Sequence, residues 1–244
     1  MGSFKLLLGA ALIISVTVTA QTVDEIIAKN IQARGGIDKL KAVKTVRMTG
    51  KINDGGFRAT VVQENRRPNK IRQEFILQGM AQVEAYDGKT TWQVSPFEGR
   101  KDPNLVSADD AKDLLESADI DGQLVDYRDK DHHAELVGHD SVEGTDCYKI
   151  KLRLANGDVR YYYIDTDTFL ELKIETERTI RGTVQYGETI LGDYEKVDGV
   201  YYPFAMDQGE KGSQFHTRVT VEKVEVNVPI DDSRFAMPAT GGSK

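Results

Sequence analysis

The most constraining feature of this sequence is an alternation of apolar and polar residues, broken repeatedly by two-residue turn signals. Every second residue is apolar or small in residues 46–52 and again in residues 148–154. The turn signals that separate such stretches are Asp54-Gly55, Asp87-Gly88, Asn156-Gly157 and Asp198-Gly199. These dipeptides favour tight hairpins, which join only antiparallel neighbours. The sequence therefore predicts a mainly β (α+β) domain with a curved antiparallel sheet of about 11 strands.

Two segments have helical periodicity instead. Thr22-Val23-Asp24-Glu25 is spaced as a capping box for a helix that Gly35-Gly36 ends. Residues 107–118 predict a second helix, with Leu114 and Leu115 on its apolar face. One helix therefore precedes the sheet and the other interrupts it.

A single sheet of this length must twist and curl, and its apolar face needs cover. Two short helices cover little of such a face, so the sheet either closes on itself with a filled core or leaves an apolar hollow. Both alternatives remain open at this point. In a hollow, Leu114 and Leu115 would belong to a movable lid, and buried apolar area would drive binding. The candidate lining residues are Met48, Phe57, Phe75, Leu77, Trp92, Ile150, Leu152, Tyr161, Tyr163, Leu172 and Ile174.

The first 20 residues have the pattern of a secretory signal peptide. Lys5 precedes the uncharged run from Leu6 to Ala20, which ends in small residues. The run is shorter than the roughly 20 apolar residues that span a bilayer. We expect cleavage after Ala20, which leaves residues 21–244 as a single soluble domain in the periplasm. No cysteine follows the cut to accept a lipid anchor.

Composition excludes some classes of function. The net charge is −7, and it becomes −8 when Lys5 leaves with the signal peptide. An acidic chain without a basic block is unsuited to nucleic acid. Cys147 is the sole cysteine, so a disulfide framework is excluded.

Three segments carry a resemblance to a known family. Residues 161–173 contain a strand, an Asp165 turn and a return strand. Residues 192–203 contain paired strands around Asp198-Gly199, followed by Pro203, and residues 228–238 resemble the family's terminal segment. In order and spacing these segments resemble the LolA-like superfamily of periplasmic carriers, which includes the protein that ferries lipoproteins to the outer membrane.

The resemblance implies an incomplete β-barrel with helices across its concave face, which would hold the acyl chains of a lipid or lipoprotein. The lipoprotein carrier also fastens its lid with an arginine in an early strand, for which Arg47 and Arg58 are both candidates. Membrane-bound donor or acceptor proteins are further candidate partners, and we expect a monomer. The predicted role is a carrier in outer-membrane lipoprotein sorting.

Motifs of catalysis are missing from the sequence. It has neither a G-x-S-x-G elbow nor an H-E-x-x-H helix. His132 and His133 are expected in a solvated loop, His216 on the surface, and Cys147 as a buried small residue. We therefore expect no enzyme activity, no metal and no cofactor. The alternative to a carrier is a non-catalytic sensor or protein-interaction module that uses the same fold with a filled core.

Overall fold

The computed structural model describes residues 21–54 and 57–239, with the side chains of Asp54 and Phe57 outside that description. The predicted signal peptide lies outside the described residues. No helix within the described part is long and apolar enough to cross a membrane.

The architecture is a single antiparallel sheet of 13 strands. Its order is β6-β5-β4-β3-β2-β1-β13-β12-β11-β10-β9-β8-β7, so nearly every strand pairs with its neighbour in sequence and only the β1–β13 pair joins distant segments. The strands are β1 (Thr45–Asp54), β2 (Phe57–Arg66), β3 (Lys70–Leu77), β4 (Met80–Tyr86), β5 (Thr91–Ser95), β6 (Arg100–Leu105), β7 (His133–Val142), β8 (Thr145–Arg153), β9 (Val159–Asp165), β10 (Glu171–Ile180), β11 (Thr183–Val197), β12 (Val200–Glu210) and β13 (His216–Val226). The mainly β fold class is confirmed.

Two of these strands were not expected from the sequence. β6 contains Pro103, and β7 begins in a charged stretch. They are the two edges of the sheet. An edge strand pairs on one side only and is exposed to water, so it carries little of the apolar alternation that marks a strand. The predicted number of 11 strands is therefore too low by these two.

The three α-helices of the described residues lie on one face of the sheet, here called the inner face. They are α1 (Val23–Ala33), α2 (Ile37–Ala42) and α3 (Lys112–Ser117). The predicted capping box is present, because Thr22 accepts from the N–H of Glu25 and the Glu25 carboxylate accepts from the N–H of Thr22. The second predicted helix is shorter than residues 107–118: Ser107 caps a turn, and α3 begins only at Lys112.

The upper part of the inner face is covered by α1, α2 and the irregular segment 119–132. Ile26 and Ile27 of α1 pack with Leu124 onto β8 and β9. Leu40 of α2 packs with Val125 onto β1, β12 and β13. The lower part of this face, toward the turn between β3 and β4, receives no such cover.

The opposite, outer face is covered in part by the C-terminal segment 228–238. Phe235 is fully buried, and its carbonyl accepts from the indole Nε1 of Trp92 at 2.8 Å. Arg234 donates to Glu64 at 2.9 Å and to Glu74 at 2.8 Å, where both carboxylates extend from strands β2 and β3. A terminal segment without regular strands therefore ties down one half of the outer face.

Gly35, between α1 and α2, allows the helices to approach the sheet. Its φ is +132°, and a Cβ at this position would lie 2.4 Å from the carbonyl oxygen of Gly199 in the β11–β12 turn. Gly138 in β7 has an almost identical φ of +133° but nothing within 4 Å of the same position. The two glycines share the same backbone restriction, and only Gly35 adds a close contact.

We predict that Gly35→Ala destabilises the protein more than Gly138→Ala. Both substitutions put a side chain at a positive φ, whereas only the first forces overpacking, which costs typically about 1–3 kcal/mol. Urea denaturation followed by circular dichroism measures the two free energies of unfolding. Equal losses in the two variants would contradict the predicted contact between α1 and the β11–β12 turn.

Candidate functional site

The uncovered part of the inner face forms a hollow with a cavity volume of about 290 Å³. Its floor is built from β1, β2, β3, β12 and β13, in which residues directly opposite each other point to the same face. Gly50 lies opposite both Val61 and Val221, and Ile52 lies opposite both Ala59 and Val219. The apolar and small lining residues are Met48, Gly50, Ile52, Val61, Val62, Phe75, Met206, Val219 and Val221.

Amide side chains form the polar side of the hollow. Gln73 donates to Gln63 at 3.0 Å, Gln63 donates to Asn65 at 2.8 Å, and Asn65 donates to the carbonyl of Ser117 at 2.7 Å. This ladder of three amides connects the floor of the hollow to the end of α3. Each of the three amides therefore uses one N–H in the ladder, which fixes the orientation of the neighbouring amides.

The carboxyl group of Glu84 in the wall of the hollow has a raised pKa. Burial raises the pKa of Glu84, and the nearby charges of Asp113 and Glu98 raise it further. A carboxyl group with a raised pKa carries less negative charge at a given pH, so covering this wall of the hollow with an apolar ligand costs less solvation free energy.

Of the eleven residues predicted to line a cavity, six lie on the inner face. Met48 and Phe75 line the hollow itself, and Leu77 follows Phe75 on the same face of β3. Ile150, Leu152 and Ile174 belong to the core beneath α1, where Ile150 and Leu152 are fully buried. The side chain of Phe57 lies outside the described residues. The hollow therefore brings together two of the predicted residues.

The remaining four predicted residues point to the outer face, which corrects their expected position. Trp92 lies beneath the C-terminal segment, as its bond to Phe235 requires. Tyr161, Tyr163 and Leu172 form a small cluster with Cys147 on the outer side of β8, β9 and β10. Alternation separates two faces of a strand but does not identify the inner one. Here aromatic residues occupy both faces, because the C-terminal segment covers part of the outer one.

Several lining residues were missed by the sequence reasoning. Val61, Met206, Val219 and Val221 contribute much of the floor of the hollow. Their alternation was visible in β2, β12 and β13, since Thr217, Val219 and Val221 are spaced by two. The sequence contains no local signal for the pairing of β1 with β13, which brings together strands from the two ends of the chain.

The helix α3 lies at the border of the hollow, and Leu114 packs it against β3 and β4. Leu114 is buried against Ile71 and Ala118, with Tyr86 beside them, and Leu115 is half-buried. Ile71 and Tyr86 lie opposite each other on the inner face of β3 and β4. The two predicted lid residues therefore lie on a helix that covers one side of the inner face.

The other side of α3 is fastened to β9 and β10 by charged groups. Glu116 Oε2 accepts from Arg160 Nε at 2.9 Å, from Arg160 Nη2, and from Arg178 Nη2 at 2.9 Å. The Glu116 side chain is only 8% exposed. Lys112 adds an ion pair with Asp158 at 3.5 Å. The helix thus bridges β3 and β4 on one side to β9 and β10 on the other.

The two arginines considered from the family resemblance do not make these contacts. Arg47 donates to Glu64 at 2.8 Å on the outer face. Arg58 is exposed in β2. The arginines that contact α3 are therefore Arg160 and Arg178, at a different place in the sheet.

Cys147 and His216 carry groups that take part in catalysis in other proteins. Burial raises the pKa of Cys147, which keeps its thiol protonated and unreactive. His216 is not a free surface residue as expected, because it lies 3.3 Å from Glu188 and 3.5 Å from Asp207. Within residues 21–54 and 57–239, no group of three or more His, Cys, Asp or Glu side chains is placed to hold a metal ion.

His132 also differs from its expected place in a solvated loop, since it is buried at the end of segment 119–132. Its Nδ1 accepts from the N–H of Ala155 at 3.2 Å, so Nε2 carries the proton and donates to Gln123 Oε1 at 3.0 Å. Burial lowers the pKa of His132, and the charge of Lys130 lowers it further. The neutral imidazole therefore holds the covering segment to the β8–β9 turn.

Comparisons with known proteins address the family and the fold. A family model described as "Uncharacterized protein" matches residues 105–239, which is more than half of the chain. No curated protein matches the sequence.

Solved structures resemble this fold over nearly its whole length. A DUF1329 family protein from Desulfovibrio piger has a TM-score of 0.60 and 14% identity, covering 89% of this chain and 98% of that chain. A LolA superfamily protein from Nitrosomonas europaea has a TM-score of 0.58 and 13% identity, with coverage of 89% and 98%. A putative outer membrane lipoprotein-sorting protein domain from Vibrio parahaemolyticus has a TM-score of 0.56 and 12% identity, with coverage of 88% and 95%. These likenesses confirm the LolA-like fold indicated by the sequence motifs.

We predict that His132 makes the stability of the protein pH-dependent. Because the pKa of His132 is lower in the folded state than in the unfolded state, the unfolded chain takes up the proton first as the pH falls. Stability is therefore complete above the unfolded pKa near 6.5 and declines as the pH falls below it. Thermal melts between pH 7.5 and 5 measure this effect.

The matched control is the neighbouring exposed histidine. His132→Asn removes the titrating group, so its stability should fall less between pH 7.5 and 5 than that of the parent protein. His133→Asn should leave the parent slope unchanged, because His133 is exposed. Identical slopes for the parent and His132→Asn would refute the assignment.

Proposed function

We propose that this protein is an acyl-chain carrier. It belongs to the family of uncharacterized proteins whose model matches residues 105–239, and it has the LolA-like fold. It binds acyl chains of a lipid or lipoprotein in the hollow and works in the periplasm after export. Outer-membrane lipoprotein sorting is the process that best fits such a carrier. The proposed activity is ligand binding without catalysis.

The observation that supports this proposal is the uncovered apolar floor between β1–β3 and β12–β13. Ligand sites are concave, mostly apolar, and typically about 300–1,000 Å³ in volume. The cavity of about 290 Å³ lies at the small end of that range and suits part of one acyl chain. Burying about eight methylenes would contribute roughly 6 kcal/mol before the costs of association.

The helix α3 borders this hollow, and we propose that it moves when a ligand enters or leaves. It has only six residues, and its position depends on Leu114 packing and on the Glu116 contacts to Arg160 and Arg178. Buried ion pairs stabilise little in total, yet removing one partner costs about 3–5 kcal/mol because the other charge stays buried without its counter-ion. A ligand could therefore enter or leave when this cluster opens.

We expect Val61→Trp to abolish acyl-chain binding, because the indole would fill the hollow at the centre of its floor. Val137→Trp in the exposed edge strand β7 is the control and should bind like the parent. Titration with a fluorescent fatty acid measures the affinity, and circular dichroism verifies that both variants fold. Binding that survives Val61→Trp would place the acyl chain elsewhere. No uptake by the parent would favour the interaction-module alternative.

We further expect Glu116→Gln to accelerate release of a bound fatty acid about tenfold or more, since Arg160 and Arg178 lose the buried carboxylate that they share. Asp113→Asn is the matched control on the same helix. Asp113 also contacts Arg178, at 3.1 Å, but its side chain is 75% exposed, so its pair contributes little. Stopped-flow displacement gives the release rates, and hydrogen exchange reports opening of residues 107–118. Equal release rates for Glu116→Gln and the parent would exclude α3 as the wall that moves.

A further inference from the structure

A second cavity of about 220 Å³ lies on the inner face beside the hollow. It is bounded by the end of α3 and segment 119–124 on one side and by β9–β12 on the other. Leu191 lines this second cavity, and Met206, which lines the hollow, lies directly opposite Leu191 in the β11–β12 pair. The two spaces are therefore neighbours with one pair of side chains between them, and a ligand that occupies both must pass over Leu191 and Met206.

The second cavity contains a hydrogen-bond acceptor without a partner. All three N–H bonds to Glu116 go to Oε2, and Oε1 has no hydrogen-bond partner among the described residues although it is buried. An unsatisfied buried acceptor costs about 1–3 kcal/mol, and more when it is charged. Glu116 lines the second cavity, but Oε1 has almost no accessible surface, so a ligand group would reach this oxygen only after α3 shifts.

The charges around this acceptor limit what could bind. Arg160 and Arg178 both donate to Glu116, and Arg34 donates to the carbonyl of Asp121 at 3.1 Å and lies 3.8 Å from Glu171. An ammonium group would approach two guanidinium groups. A carboxylate would face the negative charge of Glu116, whose Oε1 has no donor among the described residues to share with it. Both charged classes are therefore disfavoured relative to a neutral donor.

Phenol groups supply the rest of the polar lining. Burial raises the pKa of Tyr162 and of Tyr194, and it raises the pKa of Tyr202 to about 12. All three are therefore neutral at physiological pH, and Tyr194 donates to the carbonyl of Glu171 at 2.7 Å. Neutral phenols and one unused carboxylate oxygen match a ligand group that both donates and accepts hydrogen bonds.

We propose that this second cavity binds the small, neutral, hydroxyl-bearing head group of a ligand whose acyl chain occupies the hollow. The hydroxyl donates to Glu116 Oε1, and the head group fills the space between Leu191 and the tyrosines. This inference rests on the proposed acyl-chain carrier and adds the class of its ligand. Glycerol and single sugar units share this chemistry.

Ligands with one twelve-carbon chain and different head groups test the proposal. 1-Monododecanoylglycerol carries hydroxyl donors, methyl dodecanoate carries none, dodecanoate is an anion and dodecyltrimethylammonium is a cation without donors. A hydrogen bond to a charged acceptor contributes about 1.5–3 kcal/mol, so the glycerol ester should bind at least about tenfold more tightly than the methyl ester. Dodecyl glucoside in parallel distinguishes a sugar head group from glycerol. Isothermal titration calorimetry measures each affinity.

Leu191→Trp is the variant that isolates the second cavity, because it fills that space and leaves the floor of the hollow in place. It should reduce the preference for the glycerol ester over the methyl ester to less than about threefold, while methyl dodecanoate binds as to the parent. Val61→Trp should instead weaken every ligand that has the chain. Circular dichroism and thermal melts verify folding, and Val137→Trp serves as the common control.

The outcomes separate this inference from the proposed function. If the parent binds all four chains with similar affinity, Glu116 Oε1 is satisfied by water alone and the head-group site is refuted, while the carrier proposal stands. Tighter binding of dodecanoate or of the trimethylammonium ligand would likewise overturn a neutral head group. If none of the ligands binds, the carrier proposal fails, and the head-group site fails with it.

Discussion

An open sheet of 13 strands has two faces, and a chain of this length has few residues left to cover them. The described part supplies three short helices, the segment 119–132 and the C-terminal segment 228–238. The helices and segment 119–132 take the upper inner face, and the C-terminal segment takes half of the outer face. The lower inner face stays uncovered, and the hollow between β1–β3 and β12–β13 follows from this shortage.

The border of the hollow depends on α3, a helix too short to be stable alone. One side is held by Leu114 in an apolar contact, and the other by Glu116 with two arginines. An apolar contact tolerates small shifts, whereas a buried charge must keep its partner. The charged side therefore fixes where the helix lies. The same residue lines the second cavity, so the position of α3 and the polarity of that cavity have a common origin.

Much of the fold was predictable because antiparallel hairpins are local. The turn at Asn156-Gly157 and the capping box at Thr22 depend on neighbours within a few residues, and both are present. The edge strands β6 and β7 were not predictable in the same way, since half of their surroundings is water. The length of α3 was also overestimated, because the apolar spacing of residues 107–118 continues through a turn that precedes the helix.

The candidate site depended much more on distant parts of the chain. The sequence by itself determined the antiparallel meander, the turns and the separation of each strand into two faces, because these follow from a period of two and from local backbone preferences. Which face is inner was decided only by the tertiary structure, through the docking of α1, segment 119–132 and Phe235. Trp92 and Tyr163 are therefore outer residues, while Val61 and Val219 line the hollow. The pairing of β1 with β13 and of Glu116 with Arg160 joins residues far apart in sequence, and no local pattern encodes such contacts.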